Sequence, residues 1–140
     1  MIVFCITSPN YVKYTKNLLK SLNSNITDVV SGIFCLGINL SPSEISRLKE
    51  KVTNTQIDIN NVVIDFQKMT FNLEGYAVCA RAIYLPEIMN TYKKDVLYVD
   101  SDIHVISCID PLVKQIKGAD WAVGIRHPQF TQKQGNSLWV

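Results

Sequence analysis

The sequence predicts a single α/β domain in which a mainly parallel β-sheet is covered by helices on both faces, a three-layer arrangement. Short apolar runs alternate along the chain with stretches of helical periodicity. Several runs are apolar at consecutive positions, which is typical of strands buried on both faces. The 140 residues, 47% of them hydrophobic, suffice for one domain with its own core, and no repeat or linker interrupts them. We therefore expect one domain over residues 1–140.

The amino-terminal part of the chain predicts a strand, a helix and a second strand. Ile2–Thr7 is a continuous apolar run followed by Ser, Pro and Asn, so a buried strand should end there in a loop. Apolar residues then recur at helical spacing from Tyr11 to Leu22, and the helix should end in the Ser/Asn-rich sequence near residues 23–25. Val29–Gly37 predicts the second strand.

The next helix has a strong start signal. Ser41 is placed as the N-cap, Pro42 at the first helical position and Glu44 at the third, which is the pattern of a capping box. The helix should run to about Lys51. After it, Gln56–Phe66 alternates and then becomes apolar, which predicts a third strand.

The second half of the chain continues the alternation. Leu73–Met89 has helical periodicity, and Pro86 within it predicts a kink or a second short helix. Asp95–Asp100 predicts a fourth strand. The remaining expected elements are a short strand over Ile103–Ile106, a helix from Asp110 to about Lys117 and a strand over Trp121–Ile125.

Composition and charge exclude several classes of protein. A net charge of +2 does not suggest a nucleic-acid binder, and no stretch is long and apolar enough for a transmembrane segment. The first residues lack the basic region of a signal peptide. The four cysteines are widely spaced in apolar stretches without a zinc pattern, so they favour small hydrophobes in a reducing, cytoplasmic location: Cys5, Cys35, Cys79 and Cys108.

Two polar segments follow predicted strands, where sheets of this class bind ligands. One is the loop from Thr7 to Tyr11; the other is the turn Asp100-Ser101-Asp102. Neither a GxGxxG nor a P-loop pattern is present. Two carboxylates this close repel by about 3 kcal/mol at an effective dielectric near 20, which favours a raised pKa or a divalent cation such as Mg²⁺ or Mn²⁺. Alternatively, Asp100 caps the turn and Asp102 is solvated.

The stretch from Arg81 to Leu112, RAIYLPEIMNTYKKDVLYVDSDIHVISCIDPL, resembles the core signature of the GT-A fold glycosyltransferases. It is similar in particular to the group containing glycogenin and the bacterial lipopolysaccharide galactosyltransferases. The shared parts are an Arg before a Pro-Glu turn, a Tyr-Lys-rich loop, an apolar strand, Asp-x-Asp and an Asp-Pro-Leu helix start. The amino-terminal ITSPNYVKYTKNLLKSL resembles the family's first strand, nucleotide loop and Tyr-led helix.

The resemblance implies a metal-dependent glycosyltransferase that uses a nucleotide-sugar, such as a UDP-sugar, and an acceptor that is a glycan, lipid or protein. Asp100 and Asp102 would hold the Mn²⁺ or Mg²⁺ that bridges the donor's diphosphate, and Asp100 would also reach the ribose. The implied substrate-binding residues are Thr7 and Ser8 in the nucleotide loop, Tyr11 on the base, Arg81 on the sugar or diphosphate, and Ser101 between the two aspartates. No catalytic base or nucleophile is identified.

One further motif and the length of the chain add to this interpretation. His127-Pro-Gln-Phe is similar to a motif of the blood-group-type transferases, whose His meets the acceptor sugar; the alternative is a surface loop. Family members are longer, and their later half supplies a third metal ligand. We therefore expect either part of a larger enzyme or a module that binds nucleotide-sugar without transferring it. A pyrophosphorylase-like nucleotidyltransferase is disfavoured because the Gly-rich loop expected after the first strand is absent.

Overall fold

The computed structural model describes residues 1–70, 72–116 and 118–119. The chain divides into two compact units, Met1–Ile109 and Asp110–Val140. The elements of the first unit are β1 (Ile2–Thr7), α1 (Val12–Asn25), β2 (Gly32–Ile38), α2 (Pro42–Lys49), β3 (Ile57–Val62), a 3₁₀ turn (Phe66–Lys68), α3 (Leu73–Tyr92) and β4 (Val96–Tyr98). The described part of the second unit contains α4 (Asp110–Ile116). The prediction that residues 1–140 form one domain stays a prediction.

The four strands form one parallel sheet in the order β3-β2-β1-β4. β1 is flanked on both sides, with Ile2 opposite Gly32 of β2 and also opposite Val96 of β4. All six residues of β1 are buried, which explains why that run is apolar at every position. The predicted α/β class with a parallel sheet is confirmed.

Helices cover both faces of this sheet, and each face has its own hydrophobic core. On one face, α1 and α2 pack against alternate strand residues, through a cluster that includes Val3, Cys5, Ile33, Cys35, Leu18, Leu19, Leu22 and Leu48. On the other face, α3 packs against the intervening residues, through Ile2, Phe4, Ile6, Phe34, Leu36, Ile38, Ala80 and Ile88. Because side chains alternate along a strand, one apolar run supplies both cores.

Side-chain caps set the starts of α2 and α3. Ser41 and Glu44 form the predicted capping box: the Glu44 amide donates to the Ser41 hydroxyl, and the Ser41 amide donates to the Glu44 carboxylate at 2.8 Å. Asn72 accepts a hydrogen bond from the Gly75 amide at 2.9 Å and so caps α3, which positions Arg81 later in that helix.

Of the two outcomes expected at Pro86, a kink or a second short helix, the second helix does not occur, and the kink stays a prediction. α3 is one helix from Leu73 to Tyr92, and its residues Ala80 and Ile88, on either side of Pro86, both pack into the same core. Pro86 has no amide hydrogen, so it cannot donate the helical hydrogen bond to the Ala82 carbonyl. Ala82 and Pro86 are both exposed, so water can bond to that carbonyl instead.

The prediction of a short strand over Ile103–Ile106 was wrong, because this segment forms no strand. Its backbone pairs with side chains of α1 instead: the Val105 amide donates to the Ser21 hydroxyl at 3.0 Å, and the Val105 carbonyl accepts from the Asn25 amide group at 3.1 Å. This segment follows the Asp-Ser-Asp turn directly, so α1 holds the chain immediately after the turn.

Among the cysteines, Cys5 and Cys35 are buried, as predicted, whereas Cys79 and Cys108 are exposed. A hydrogen bond with Cys5 and burial raise the pKa of the Cys35 thiol, so it stays protonated in the core. Within residues 1–70, 72–116 and 118–119, no helix combines the length and hydrophobicity needed to cross a bilayer. The predicted strand over Trp121–Ile125 lies outside the described residues.

Candidate functional site

The two candidate segments from the sequence end at the same edge of the sheet, on neighbouring strands. β1 and β4 are parallel, with Phe4 opposite Tyr98, and the Val99 amide donates to the Phe4 carbonyl at 2.8 Å. The ladder therefore continues one residue beyond β4, and Asp100 comes directly after it. The carboxyl end of β1, at Thr7, lies at this same edge, where ligands bind in folds of this class.

The Asp-Ser-Asp segment forms a tight turn. The Ile103 amide donates to the Asp100 carbonyl at 3.1 Å, which closes the turn through the backbone. Ser101 is buried, whereas Asp100 and Asp102 on either side of it are exposed. The two carboxylates therefore face solvent at the edge of the sheet while the residue between them anchors the turn.

The Asp100 side chain does not cap this turn, contrary to the alternative considered from the sequence. It accepts a hydrogen bond from the Tyr98 hydroxyl at 2.7 Å, through Oδ1. Nη1 of Arg81, on α3, lies 3.9 Å from the same oxygen, and the Arg81 guanidinium carbon lies 5.1 Å from the centre of the Tyr98 ring. Burial and the bond to Asp100 raise the pKa of Tyr98 well above its ordinary value of 10.0, so its hydroxyl remains a donor.

The other predicted segment is the loop from Thr7 to Tyr11, which leads directly into α1. Thr7 and Ser8 are buried, and the Tyr11 amide donates to the Ser8 carbonyl at 2.8 Å. Tyr11 precedes α1, the residue is 41% exposed, and its ring centre lies 6.0 Å from that of Tyr14. Tyr11 therefore presents a partly open aromatic surface beside the loop, whereas Thr7 and Ser8 offer little side-chain surface to a ligand.

The donor set fits a divalent cation that shares its coordination shell with a substrate. Mg²⁺ and Mn²⁺ are commonly bound by one or two carboxylates together with waters and substrate phosphates. Asp100 and Asp102 supply two exposed carboxylates. Within the described ranges, no three His, Cys, Asp or Glu side chains come close enough to form a complete protein site, so His104 does not join the two aspartates as a third ligand.

Sequence reasoning missed two polar residues at this edge. Tyr98 was assigned only to the strand, although its position two residues before Asp100 places both on the same side of an extended chain. Thr15 is buried within the apolar stripe of α1 and is hydrogen-bonded to Thr7 at 2.6 Å. A hydroxyl in an otherwise apolar stripe was the available signal. His127, the candidate acceptor contact, lies outside the described residues.

A separate cavity of about 180 Å³ lies at the opposite edge of the sheet, where the strands begin. Asp58, Tyr92 and Lys94 are among the residues that line it. The Tyr92 hydroxyl donates to Asp58 at 2.7 Å, and the pKa of Tyr92 is raised to about 12, by burial first and then by this bond. None of the candidate residues that the structure describes lines this cavity.

No protein-family model matches the chain. Two solved structures of the galactosyltransferase LgtC share its fold. For LgtC in complex with donor and acceptor sugar analogues, the TM-score is 0.57 and the identity 22%, covering 80% of this chain and 41% of that one. For an active-site mutant of LgtC, the TM-score is 0.64 and the identity 22%, covering 97% of this chain and 49% of that one.

These similarities confirm that the fold is of the GT-A glycosyltransferase type, as the resemblance in the sequence implied. The chain spans less than half the length of the LgtC chains that it matches.

Proposed function

We propose that this chain is the nucleotide-sugar-binding part of a metal-dependent glycosyltransferase, with a UDP-sugar as donor. The fold shared with LgtC supports a sugar-transfer function, and LgtC itself was solved with donor and acceptor sugar analogues. The observation that carries the proposal is the pair of exposed carboxylates, Asp100 and Asp102, at the carboxyl edge of a parallel sheet and next to the strand that leads into the Tyr11 loop.

In this proposal, different residues at the carboxyl edge of the sheet bind different parts of the sugar donor. The Tyr11 ring stacks on the base, since its exposed fraction leaves one aromatic surface open. Thr7 and Ser8 shape the loop from within, because both are buried. Arg81 has a half-buried side chain and a guanidinium near Asp100, so a diphosphate or sugar placed beside Asp100 lies within reach of its charge.

Asp100 and Asp102 would hold a divalent cation beside the donor's diphosphate. When bound, such a cation would supply positive charge to neutralise the departing nucleoside diphosphate. The contribution of this chain is to hold two carboxylates at one point of the sheet edge, through the turn that Ser101 and the Ile103 amide anchor.

Titration calorimetry with UDP, in the presence and absence of Mn²⁺, tests this proposal. The wild type should bind UDP in a Mn²⁺-dependent way, and Asp102→Asn should abolish that dependence without lowering the thermal midpoint. Asp95→Asn is the matched control, because it removes the same charge from the other end of β4. Absence of Mn²⁺-dependent binding by the wild type, or equal binding by Asp102→Asn, would contradict the proposal.

A second candidate is a module that binds nucleotide-sugar without transferring the sugar. It is supported by the roles proposed above, since each residue assigned at the sheet edge binds the donor or the cation and none is assigned as a base or nucleophile. Incubation with UDP-sugars and Mn²⁺ separates the two: release of UDP, alone or with a glycan, lipid or protein acceptor, supports transfer. Binding with no UDP released over hours supports the module.

A further inference from the structure

We infer that Tyr98 is a positioning residue that holds the Asp100 carboxylate by Oδ1 and so presents Oδ2 to the cation. This inference rests on the proposed function and adds a residue that the Asp-x-Asp motif does not contain. It follows from three features of the structure: the fixed position of the Tyr98 ring, the oxygen to which its hydroxyl binds, and the position of Arg81.

The Tyr98 ring is fixed from two sides. Its ring meets the ring of Phe4, on the neighbouring strand β1, edge to face at 5.4 Å. Phe4 is fully buried, so this contact joins Tyr98 to a strand that is buried at every position. On the side of α3, the Arg81 guanidinium lies 5.1 Å from the ring centre. The hydroxyl at the end of such a ring has a fixed position, unlike one on a flexible side chain.

The Tyr98 hydroxyl binds one particular oxygen of Asp100. Within the described part of the chain, both recorded contacts of the Asp100 carboxylate are to Oδ1: the hydroxyl at 2.7 Å and Arg81 Nη1 at 3.9 Å. A carboxylate held at one oxygen cannot rotate freely, so its other oxygen has a defined direction. Groups that hold a metal ligand in this way typically contribute 10–100-fold to metal affinity.

Arg81 does not replace Tyr98 in this role. Its distance of 3.9 Å from Oδ1 exceeds that of a hydrogen bond, so it acts as a neighbouring charge that does not fix an orientation. Its guanidinium therefore remains available to a diphosphate while the hydroxyl continues to hold Asp100. Tyr98 and Arg81 thus have separable effects, on the orientation of the carboxylate and on the charge beside it.

The chain contains a close control for this interaction. Tyr92 also donates to a carboxylate, that of Asp58, at 2.7 Å, and its ring also meets a phenylalanine, Phe34, edge to face at 6.3 Å. This pair lies at the opposite edge of the sheet, beside the separate cavity. Tyr92→Phe therefore removes the same kind of bond, with the same change in hydrophobicity, away from the candidate site.

The experiment measures Mn²⁺ affinity and UDP affinity, with and without Mn²⁺, for the wild type, Tyr98→Phe and Tyr92→Phe. Free Mn²⁺ is followed by electron paramagnetic resonance, and UDP binding by calorimetry. Tyr98→Phe should weaken Mn²⁺ binding and Mn²⁺-dependent UDP binding about 10-fold or more. UDP affinity without Mn²⁺ should stay within twofold of the wild type, and Tyr92→Phe should change neither Mn²⁺ quantity by more than twofold.

A rescue variant separates positioning from packing. Replacement of Tyr98 by 4-aminophenylalanine retains the ring and restores an N–H donor, so it should recover most of the lost affinity. Should Tyr98→Phe not fold, replacement by 4-fluorophenylalanine fills the space of the hydroxyl without a donor, and the same comparison applies.

Three results would overturn the inference. Equal Mn²⁺ affinities of Tyr98→Phe and the wild type would show that Asp100 needs no support, with the sugar-donor proposal intact. Equal losses in Tyr98→Phe and Tyr92→Phe would show a general effect on the fold. If the wild type binds neither Mn²⁺ nor UDP, the proposed function fails and the role of Tyr98 fails with it.

Discussion

The hydroxyl groups of Thr7 and Thr15 are hydrogen-bonded at 2.6 Å, which joins the last residue of β1 to the first turns of α1. Both residues are buried, and the Thr15 hydroxyl also lies 3.0 Å from the Tyr11 carbonyl. Thr15, in the helix that follows the loop, therefore holds both ends of the loop between the sheet and Tyr11. This arrangement fixes where the Tyr11 ring stands relative to the sheet edge.

We predict that Thr15→Val destabilises the protein by about 1–3 kcal/mol. Valine has the same shape but removes the hydrogen bond that Thr15 donates to the buried Thr7 hydroxyl, which keeps only a long contact of 3.5 Å to the Ser8 carbonyl. UDP affinity should fall as well, because the loop loses its support. Urea unfolding and calorimetry measure the two effects. Ser24→Ala, which removes an exposed hydroxyl of the same helix, should leave both values unchanged, and an equally stable Thr15→Val would contradict the account.

The two glycines of β2 should respond in opposite ways to alanine. A Cβ at Gly37 would lie 2.6 Å from Cδ1 of Leu40 and 2.9 Å from Oδ1 of Asn61, whose side-chain amide pairs with the Leu40 backbone. Gly37→Ala should therefore destabilise the protein by about 1–3 kcal/mol. A Cβ at Gly32 meets its neighbours at 3.4 Å or more, so Gly32→Ala should be neutral or stabilising by up to about 1 kcal/mol. Thermal unfolding of both variants checks this, and equal midpoints would contradict it.

We predict that the protein loses stability at alkaline pH, because ionisation of Tyr92 removes the stabilising contribution of its hydrogen bond to Asp58. The pKa of Tyr92 is about 12 in the folded protein, against an ordinary value of 10.0, because of burial and the hydrogen bond to Asp58. The folded state therefore retains a proton that the unfolded state releases, so the stabilising contribution is complete below pH 10.0 and declines up to about pH 12. Absorbance at 295 nm should show an ionisation near pH 12 that Tyr92→Phe removes, while the raised pKa of Tyr98 leaves a separate, later ionisation in both proteins.

Asp58→Asn distinguishes the two causes of that shift. This variant removes the carboxylate charge, whereas burial remains and the amide oxygen can still accept a hydrogen bond from Tyr92, so the late ionisation should move part of the way back towards pH 10.0. The unfolding free energy should then decline less steeply between pH 10.0 and 12 than in the wild type. An unchanged titration curve in Asp58→Asn would show that the carboxylate contributes nothing to the pKa of Tyr92.

Local patterns in the sequence predicted the elements that depend on nearby residues. The apolar run Ile2–Thr7 predicted β1 with the bounds that the structure shows, and Ser41 and Glu44 predicted the start of α2 and its capping box. Such features depend on residues a few positions apart, so the pattern itself contains the cause. Whether α3 continues past Pro86 could not be decided locally, because Ala80 and Ile88, on either side of it, pack against residues of strands that are distant in the sequence.

The candidate site was predicted in its residue types but not in its contacts. The sequence indicated that Asp100 and Asp102 follow a buried strand, and that the loop from Thr7 to Tyr11 follows another. That these strands are neighbours depends on the order β3-β2-β1-β4, which no periodicity encodes. The bond between Tyr98 and Asp100 lay within reach of sequence reasoning, because alternation places residues two apart on one side of a strand.

By itself, then, the sequence determined the alternation of strands and helices, the parallel sheet and the acidic turn at the end of a strand, because each depends on periodicity or on adjacent residues. The tertiary structure alone decided the strand order, the Thr15 support beneath the Thr7 loop and the attachment of Val105 to α1. The Val105 contacts join residues 80 or more positions apart, and the strand order depends on which apolar faces pack together. Contacts of this kind depend on how the whole chain packs, whereas a pattern in the sequence depends only on residues close to one another along the chain.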